Sequence, residues 1–169
     1  QLSYELPEII GCGGGLKSTF SLAREHTIFP SQHIGDLFNL SSFEFFTESV
    51  DHLKEVFRIE PVAVACDLHP DYMSSHYARE LKLPLYKVQH HHAHGAAVMA
   101  EHGITDPVLA VFDARMGEVY LGAFRPDADG LPVAIDEEHL GAPELVALPS
   151  TGEWFGAGAG WSVHGEQIA

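Results

Sequence analysis

Val62-Ala63-Val64-Ala65-Cys66-Asp67-Leu68-His69-Pro70, followed by Leu85-Tyr86-Lys87-Val88-Gln89-His90, decides the reading of the fold. Residues 62–66 are a fully apolar run that stops at a polar, proline-ended corner, the pattern of a strand buried on both faces. A helix is expected from about Tyr72 to Leu81, a strand over Leu85–Val88, and a helix from about His90 to His102. Strand, helix, strand in this order predicts parallel strands joined by crossing helices.

Upstream of this segment, Glu8–Cys12 is a short apolar run that stops at Gly13-Gly14-Gly15, and Lys17–Ala23 alternates polar and apolar residues. These two stretches predict a hairpin around the glycines, with Thr27–Ser31 as a third strand. From Ser41 onward, Phe43, Phe46, Val50, Leu53 and Phe57 recur at spacings of three and four. That is an amphipathic helix, with Ser41 or Ser42 as its N-cap and Glu44 in its first turn. The order β-β-β-α-β-α-β-α predicts a mixed sheet whose later strands are parallel, and it resembles an RNase H-like lobe.

Downstream, Gly103-Ile104-Thr105-Asp106-Pro107 is the expected boundary. It is followed by a strand over Val108–Phe112 and a hairpin partner over Glu118–Phe124. Asp127–Gly130 reads as a turn, Pro143–Leu148 as a short helix and Trp154–Ala157 as a last strand. The segment after residue 106 is too short for a complete second lobe.

The chain has 169 residues, with 9 Lys plus Arg against 24 Asp plus Glu and a formal net charge of -15. A basic footprint for phosphate contacts is absent, so direct nucleic-acid binding is not expected, whereas a basic partner is compatible with this charge. Hydrophobic residues make up 46%, with a mean hydropathy of +0.01, which is the composition of a packed globular chain. Cys12 and Cys66 are far apart in sequence and flanked by apolar residues, which suggests a reducing, cytoplasmic setting and no disulfide scaffold. No apolar run approaches the roughly 20 residues of a membrane span, and no targeting segment is visible. The first residue is Gln and not Met, so the chain is read as a piece of something longer.

The densest chemical signal is Val88-Gln89-His90-His91-His92-Ala93-His94. Residues i and i+4 share one helix face, so His90 and His94 can ligate a single metal ion. The alternative is a polar helix start in a chain that carries 12 His. His91 and His92 are expected to face elsewhere, as substrate contacts or plain surface.

The second signal is Gly11-Cys12-Gly13-Gly14-Gly15-Leu16-Lys17-Ser18-Thr19. Leu16 stands where a Walker loop needs its last glycine, and a strand follows in place of a helix, so a P-loop is rejected. A glycine hairpin can still turn backbone N–H groups toward phosphate oxygens, with Lys17 as a point charge. A plain tight turn is the alternative. Asp67, His69 and Asp71 fall at the C-terminal end of a buried strand, where open α/β sheets bind ligands, although Asp71 also suits an N-cap. Ser31-Gln32-His33-Ile34-Gly35-Asp36-Leu37 is a further polar stretch around a turn glycine, either ligand-facing or a loop.

Taken together, Cys12–Thr19, residues 31–37, residues 66–72 and residues 88–94 resemble HypF, the carbamoyltransferase family that matures NiFe hydrogenases. The resemblance covers about residues 8–106. It implies an actin-like (ASKHA/RNase H-like) α/β fold, with one complete lobe over 1–106 and a partial second lobe over 107–169. It further implies binding of ATP or carbamoyl adenylate at the hairpin residues Gly13, Gly14, Lys17 and Thr19. A divalent metal, iron or zinc, is implied at His90 and His94, and Asp113 falls where a third ligand would lie. The implied partner is a protein that accepts the carbamoyl group. In the hairpin the family usually has Glu or Gln where Gly15 stands and Asn where Ser18 stands.

After Pro107 the likeness changes. Val108–Tyr120, Gly152-Glu153-Trp154 and Gly158-Ala159-Gly160-Trp161 resemble TsaB, the non-catalytic actin-like partner in tRNA threonylcarbamoyladenosine synthesis. The alternative readings are therefore a TsaB-like scaffold paired with an actin-like catalytic partner, or an inactive chimera of the two families. Later HypF-type second-lobe residues have no counterpart, so complete catalysis by this chain alone is not expected; no catalytic residue and no oligomeric state is assigned.

Overall fold

The computed structural model describes residues 2, 4–128, 131–135, 138–146 and 153–168. The chain divides into two compact units, residues 1–89 and 90–169. This packing boundary precedes the sequence boundary expected at 106/107, because the helix over 90–102 packs on the sheet of the second unit.

In the first unit, β1 (Leu6–Cys12), β2 (Phe20–Glu25) and β3 (Thr27–Pro30) lead into α1 (Leu40–Phe57). β4 (Ala63–Asp67), α2 (Met73–Glu80) and β5 (Leu85–Val88) follow. The sheet order is β3-β2-β1-β4-β5, with β1, β2 and β3 antiparallel and β1, β4 and β5 parallel. Alternation along the strands sends Ile10 and Cys12, Phe20 and Leu22, and Val64 and Cys66 into one core. α1 closes that core with Phe46, whose ring meets Phe20 edge-on at 5.5 Å and Tyr77 at 5.3 Å. Each such fully buried ring stabilises the unit by about 1.5–3 kcal/mol.

Several local boundaries differ from the sequence reading. α1 is capped by Asn39, whose Oδ1 accepts the Ser42 N–H at 2.9 Å, so neither Ser41 nor Ser42 is the cap and Glu44 lies beyond the first turn. β2 begins at Phe20, because Lys17 (φ 51°) takes a left-handed turn conformation that no strand accommodates. Asp71 is not the cap of α2; Tyr72 occupies that position without a side-chain cap bond.

In the second unit, α3 (His90–His102) precedes β6 (Val108–Arg115), β7 (Glu118–Pro126), β8 (Pro132–Ala134) and β9 (His139–Gly141). A 3-10 turn (Pro143–Leu145), β10 (Phe155–Ala157) and α4 (Gly160–Ile168) complete it. β8, β9 and α4 were not expected from the sequence. The short helix expected over 143–148 is only the 3-10 turn in its described part; residues 147–148, with 129–130 of the expected turn and Gly152, lie outside the described residues. The sheet runs β10-β6-β7-β8, with β10 parallel to β6 and β9 paired to the other end of β7. Period-two alternation divides β6 between two helices. Val108, Ala110 and Phe112 pack with Met99 of α3, whereas Leu109 and Val111 pack with Trp161 and Ile168 of α4.

Candidate functional site

In the first unit the seven-residue connection from β1 to β2 folds back on itself. Gly13 donates its N–H to the Thr19 carbonyl at 3.1 Å, and a Cβ at Gly13 would fall 2.5 Å from that same oxygen. Only glycine allows this approach. A Cβ at Gly15 would lie 2.8 Å from the Tyr72 ring, so the hairpin also sits directly on the β4–α2 loop. Residues 31–37, the polar stretch noted in the sequence, form a strap across the hairpin. Ser18 N–H donates to the Gly35 carbonyl at 2.7 Å, Ile34 N–H to the Ser18 carbonyl at 2.9 Å, and Leu37 N–H to the Gly15 carbonyl at 3.2 Å. Gly35 (φ 102°) takes a backbone conformation that side chains strain. Gly13, Gly14, Lys17 and Thr19 are thus on one turn, with Lys17 and Thr19 exposed. The Ser18 hydroxyl is buried with no hydrogen-bond partner. The N–H groups of Gly13 and Ser18 are spent inside the hairpin and its strap, so a phosphate held here would rely on the exposed Lys17 and Thr19.

The β4–α2 loop carries local bonds and is tied to α2, with Ser75 Oγ donating to the Asp67 carbonyl at 3.2 Å and Arg79 to the Pro70 carbonyl at 2.7 Å. Asp67 Oδ1 accepts the His69 N–H at 2.9 Å, and His69 Nδ1 accepts the Asp71 N–H at 3.2 Å. The His69 ring stacks on Tyr72 at 4.3 Å.

In the second unit His90 and His94 meet as their spacing predicts. Their Nε2 atoms are 3.1 Å apart, with ring centroids at 4.7 Å and planes at 81°. Metal–nitrogen bonds of about 2.0–2.1 Å place two ligands about 3.3 Å apart on a tetrahedral ion and about 2.9 Å apart when cis on an octahedral one. The observed separation lies between these values, so the pair fits two ligand positions. The Phe112 ring holds His94 from the sheet side at 4.9 Å.

Asp113 does not join them. Phe112 points toward α3, so the next residue along the strand points to the opposite face. There the Asp113 carboxylate lies 3.5 Å from His164 Nε2 on α4. Among the described residues, no group of three or more His, Cys, Asp or Glu is placed to hold a metal ion. The three-ligand set of His90, His94 and Asp113 is therefore not assembled.

His91 corrects a second expectation. It is neither surface nor placed as a substrate contact; it is 5% exposed, with Nε2 2.7 Å from Glu138 Oε1. Its ring stacks over Tyr120 at 5.8 Å. Burial lowers its pKa below the usual imidazole value, and the Glu138 carboxylate opposes that shift. His92 packs its ring on Phe124 at 4.7 Å, with Nε2 3.0 Å from the Pro132 carbonyl. The middle two histidines thus fasten α3 to its sheet, and the outer two converge. Glu138 and His164 escaped the sequence reading because neither lies in a motif; only the packing of β9 and α4 reveals them.

The mixed sheet of the first unit, with its β3-β2-β1-β4-β5 order, defines an α/β protein of the actin-like class. The chain belongs to the HypF Kae1-like domain family, whose model matches residues 5–101. A model described as TsaD, tRNA N6-adenosine threonylcarbamoyltransferase, matches residues 72–157, so the middle and later segment belongs with that group by the same measure.

The chain is 46% identical over 115 residues to carbamoyltransferase HypF2 of Cupriavidus necator, covering 66% of this chain and 14% of that protein. It is 40% identical over 57 residues to the tRNA threonylcarbamoyladenosine biosynthesis protein TsaB of Escherichia coli, covering 32% of this chain and 25% of that one. A structure of full-length HypF in a phosphate- and nucleotide-bound form superposes with a TM-score of 0.67 at 34% identity, over 82% of this chain and 22% of that one. YeaZ from Pseudomonas aeruginosa superposes with a TM-score of 0.74 at 21% identity, over 97% and 81% of the two chains, which shows the shared fold. The chain spans about one seventh of the HypF relative's length. Among the described residues no helix is long and apolar enough to cross a membrane.

Proposed function

We propose that this chain is the metal- and nucleotide-binding portion of a HypF-type carbamoyltransferase. The observation that carries the reading is the convergence of His90 Nε2 and His94 Nε2 to 3.1 Å on the first turn of α3. These two residues would hold a divalent ion, iron or zinc. When bound, such an ion supplies a Lewis acid for a carbonyl or phosphoryl oxygen. The Gly13–Thr19 hairpin would hold the phosphates of ATP or the phosphate of carbamoyl adenylate. Gly13 and Gly14 keep the backbone close, Lys17 supplies charge, and the Thr19 hydroxyl supplies a hydrogen bond. Phe112 orients His94, and the His91–Glu138 contact fixes the helix that carries the pair. The partner is a protein that accepts the carbamoyl group, and the rest of the machinery lies in segments that this chain does not contain.

The similarity of the later segment to TsaB favours a second reading, a non-catalytic scaffold that pairs with an actin-like catalytic partner. Metal analysis after loading separates the two. The transferase reading expects about one equivalent of iron or zinc in the wild type, with His90→Ala and His94→Ala each weakening binding at that site by at least tenfold. Equal, sub-stoichiometric metal in all three proteins would leave the scaffold reading standing alone.

A further inference from the structure

We propose that His69 is a further phosphate-binding residue of the hairpin site, where it presents a fixed Nε2–H to an anionic ligand. The inference deepens the nucleotide reading of the Gly13–Thr19 hairpin and rests on it. With the Gly13 and Ser18 N–H groups spent, the exposed Lys17 and Thr19 give that hairpin one charge and one hydroxyl. A phosphate offers several strong acceptor oxygens, so these two groups leave part of its shell unmet. The neighbouring β4–α2 loop supplies the missing donor. Its Tyr72 ring lies against Gly15, where an added Cβ would come within 2.8 Å of it. The His69 ring stacks on Tyr72 at 4.3 Å, with the planes at 11°. Hairpin, Tyr72 and His69 thus follow one another in contact, all within the first unit.

The tautomer of His69 is set by a bond that runs one way. A backbone N–H only donates, so the Asp71 N–H at 3.2 Å makes Nδ1 the acceptor. The neutral ring then carries its proton on Nε2, and no described residue accepts from it. The residue is exposed, so that N–H is open to a ligand. Its backbone is held as well, by Asp67 Oδ1 on the His69 N–H at 2.9 Å and by Arg79 on the Pro70 carbonyl at 2.7 Å. The loop's own bonds use Nδ1 and the main chain, which leaves Nε2–H oriented and unspent. A donor held in place before its ligand arrives loses little freedom on binding. The C-terminal end of β4 is also the edge at which open α/β sheets take ligands. With the proton on Nε2, the ring serves an oxygen acceptor and is not a lone-pair ligand for a cation.

Calorimetric titration of the intact chain with ATP, and with adenosine as the phosphate-free control, tests the proposal. Wild type should bind ATP more tightly than adenosine, and Lys17→Ala should remove much of that difference. His69→Phe keeps an aromatic ring on Tyr72 and deletes the donor, so ATP affinity should fall about tenfold while adenosine affinity stays the same. His69→Gln returns an amide N–H near the Nε2 position and should recover most of the loss. Imidazole 15N–1H spectra read the atom itself: the His69 Nε2–H signal should shift on ATP addition, with Nδ1 remaining an unprotonated acceptor. Equal ATP affinity in wild type and His69→Phe, with Lys17→Ala weakened, overturns the proposal and leaves the hairpin reading standing. Wild-type ATP binding no tighter than that of adenosine overturns both. A loss in His69→Phe that His69→Gln does not recover, with no Nε2–H shift in wild type, gives His69 a structural role only and also overturns the proposal.

Discussion

Phe124 is fully buried, and one edge of its ring packs against two glycines, so Gly122→Ala is a sharp probe of how α3 is held. A Cβ at Gly122 would stand 2.8 Å from Phe124 Cζ, 2.9 Å from Cε2 and 3.2 Å from His91 Cδ2. The ring has little room to shift, because His92 stacks on it at 4.7 Å and Gly95 of α3 approaches the same edge, with its own virtual Cβ 3.1 Å from Cδ2 and 3.2 Å from Cε2. Overpacking of this kind costs about 1–3 kcal/mol. Removing glycine's unfolded-state freedom returns about 0.4–1 kcal/mol. The net expectation is a loss of about 1–2 kcal/mol, which for a unit of this size lowers Tm by roughly 5–15 °C. Gly95→Ala meets a milder clash and gains about 1 kcal/mol of helix propensity, so it should be nearly neutral. Scanning calorimetry of Gly122→Ala, Phe124→Leu and the double variant gives the test. If this packing holds the ring, the double variant loses at least about 0.5 kcal/mol less than the sum of the singles. Strict additivity, or a wild-type Tm for Gly122→Ala, would show that the Phe124 ring is not clamped at this edge.

Asn39→Ala removes the α1 cap and should cost about 1 kcal/mol in urea unfolding, whereas Ser41→Ala should cost nothing measurable. Burial pushes the Cys12 thiol up to about 12, so iodoacetamide at pH 8 should leave it unmodified in the native chain and alkylate it fully in denaturant. His91 has a folded pKa below its unfolded value, so the unfolded chain takes up the proton first. Its contribution is complete above about pH 6.5 and is lost as the pH falls from there through the folded pKa. The slope is at most about 1.4 kcal/mol per pH unit, and His91→Leu should flatten it.

The parallel core was readable because residues 62–66 and 85–88 are apolar runs joined by a helix-length segment with no competing period. β5 and α3 emerge with the bounds expected. The His90–His94 pair was readable for a related reason: helical spacing alone brings i and i+4 together. What the sequence hid depends on tertiary partners. His91 meets Glu138, 47 positions away, and Asp113 meets His164, 51 positions away. No local pattern encodes such pairings, and β8 and β9, three residues each, are too short to show a period. Asp113 was misplaced with the histidine pair because sequence likeness gives its position along the strand but not which face its neighbours occupy. Alternation from Phe112 settles that.

On the proposed function, His90 and His94 bind one ion together. Imidazole 15N NMR during a zinc titration tests it at the atoms concerned. The Nε2 resonances of His90 and His94 should move to metal-bound values in parallel and saturate at the same equivalent, with His91 and His92 unmoved. Contradiction would come from Nε2 signals that stay fixed while zinc binds elsewhere, or from only one of the two rings responding.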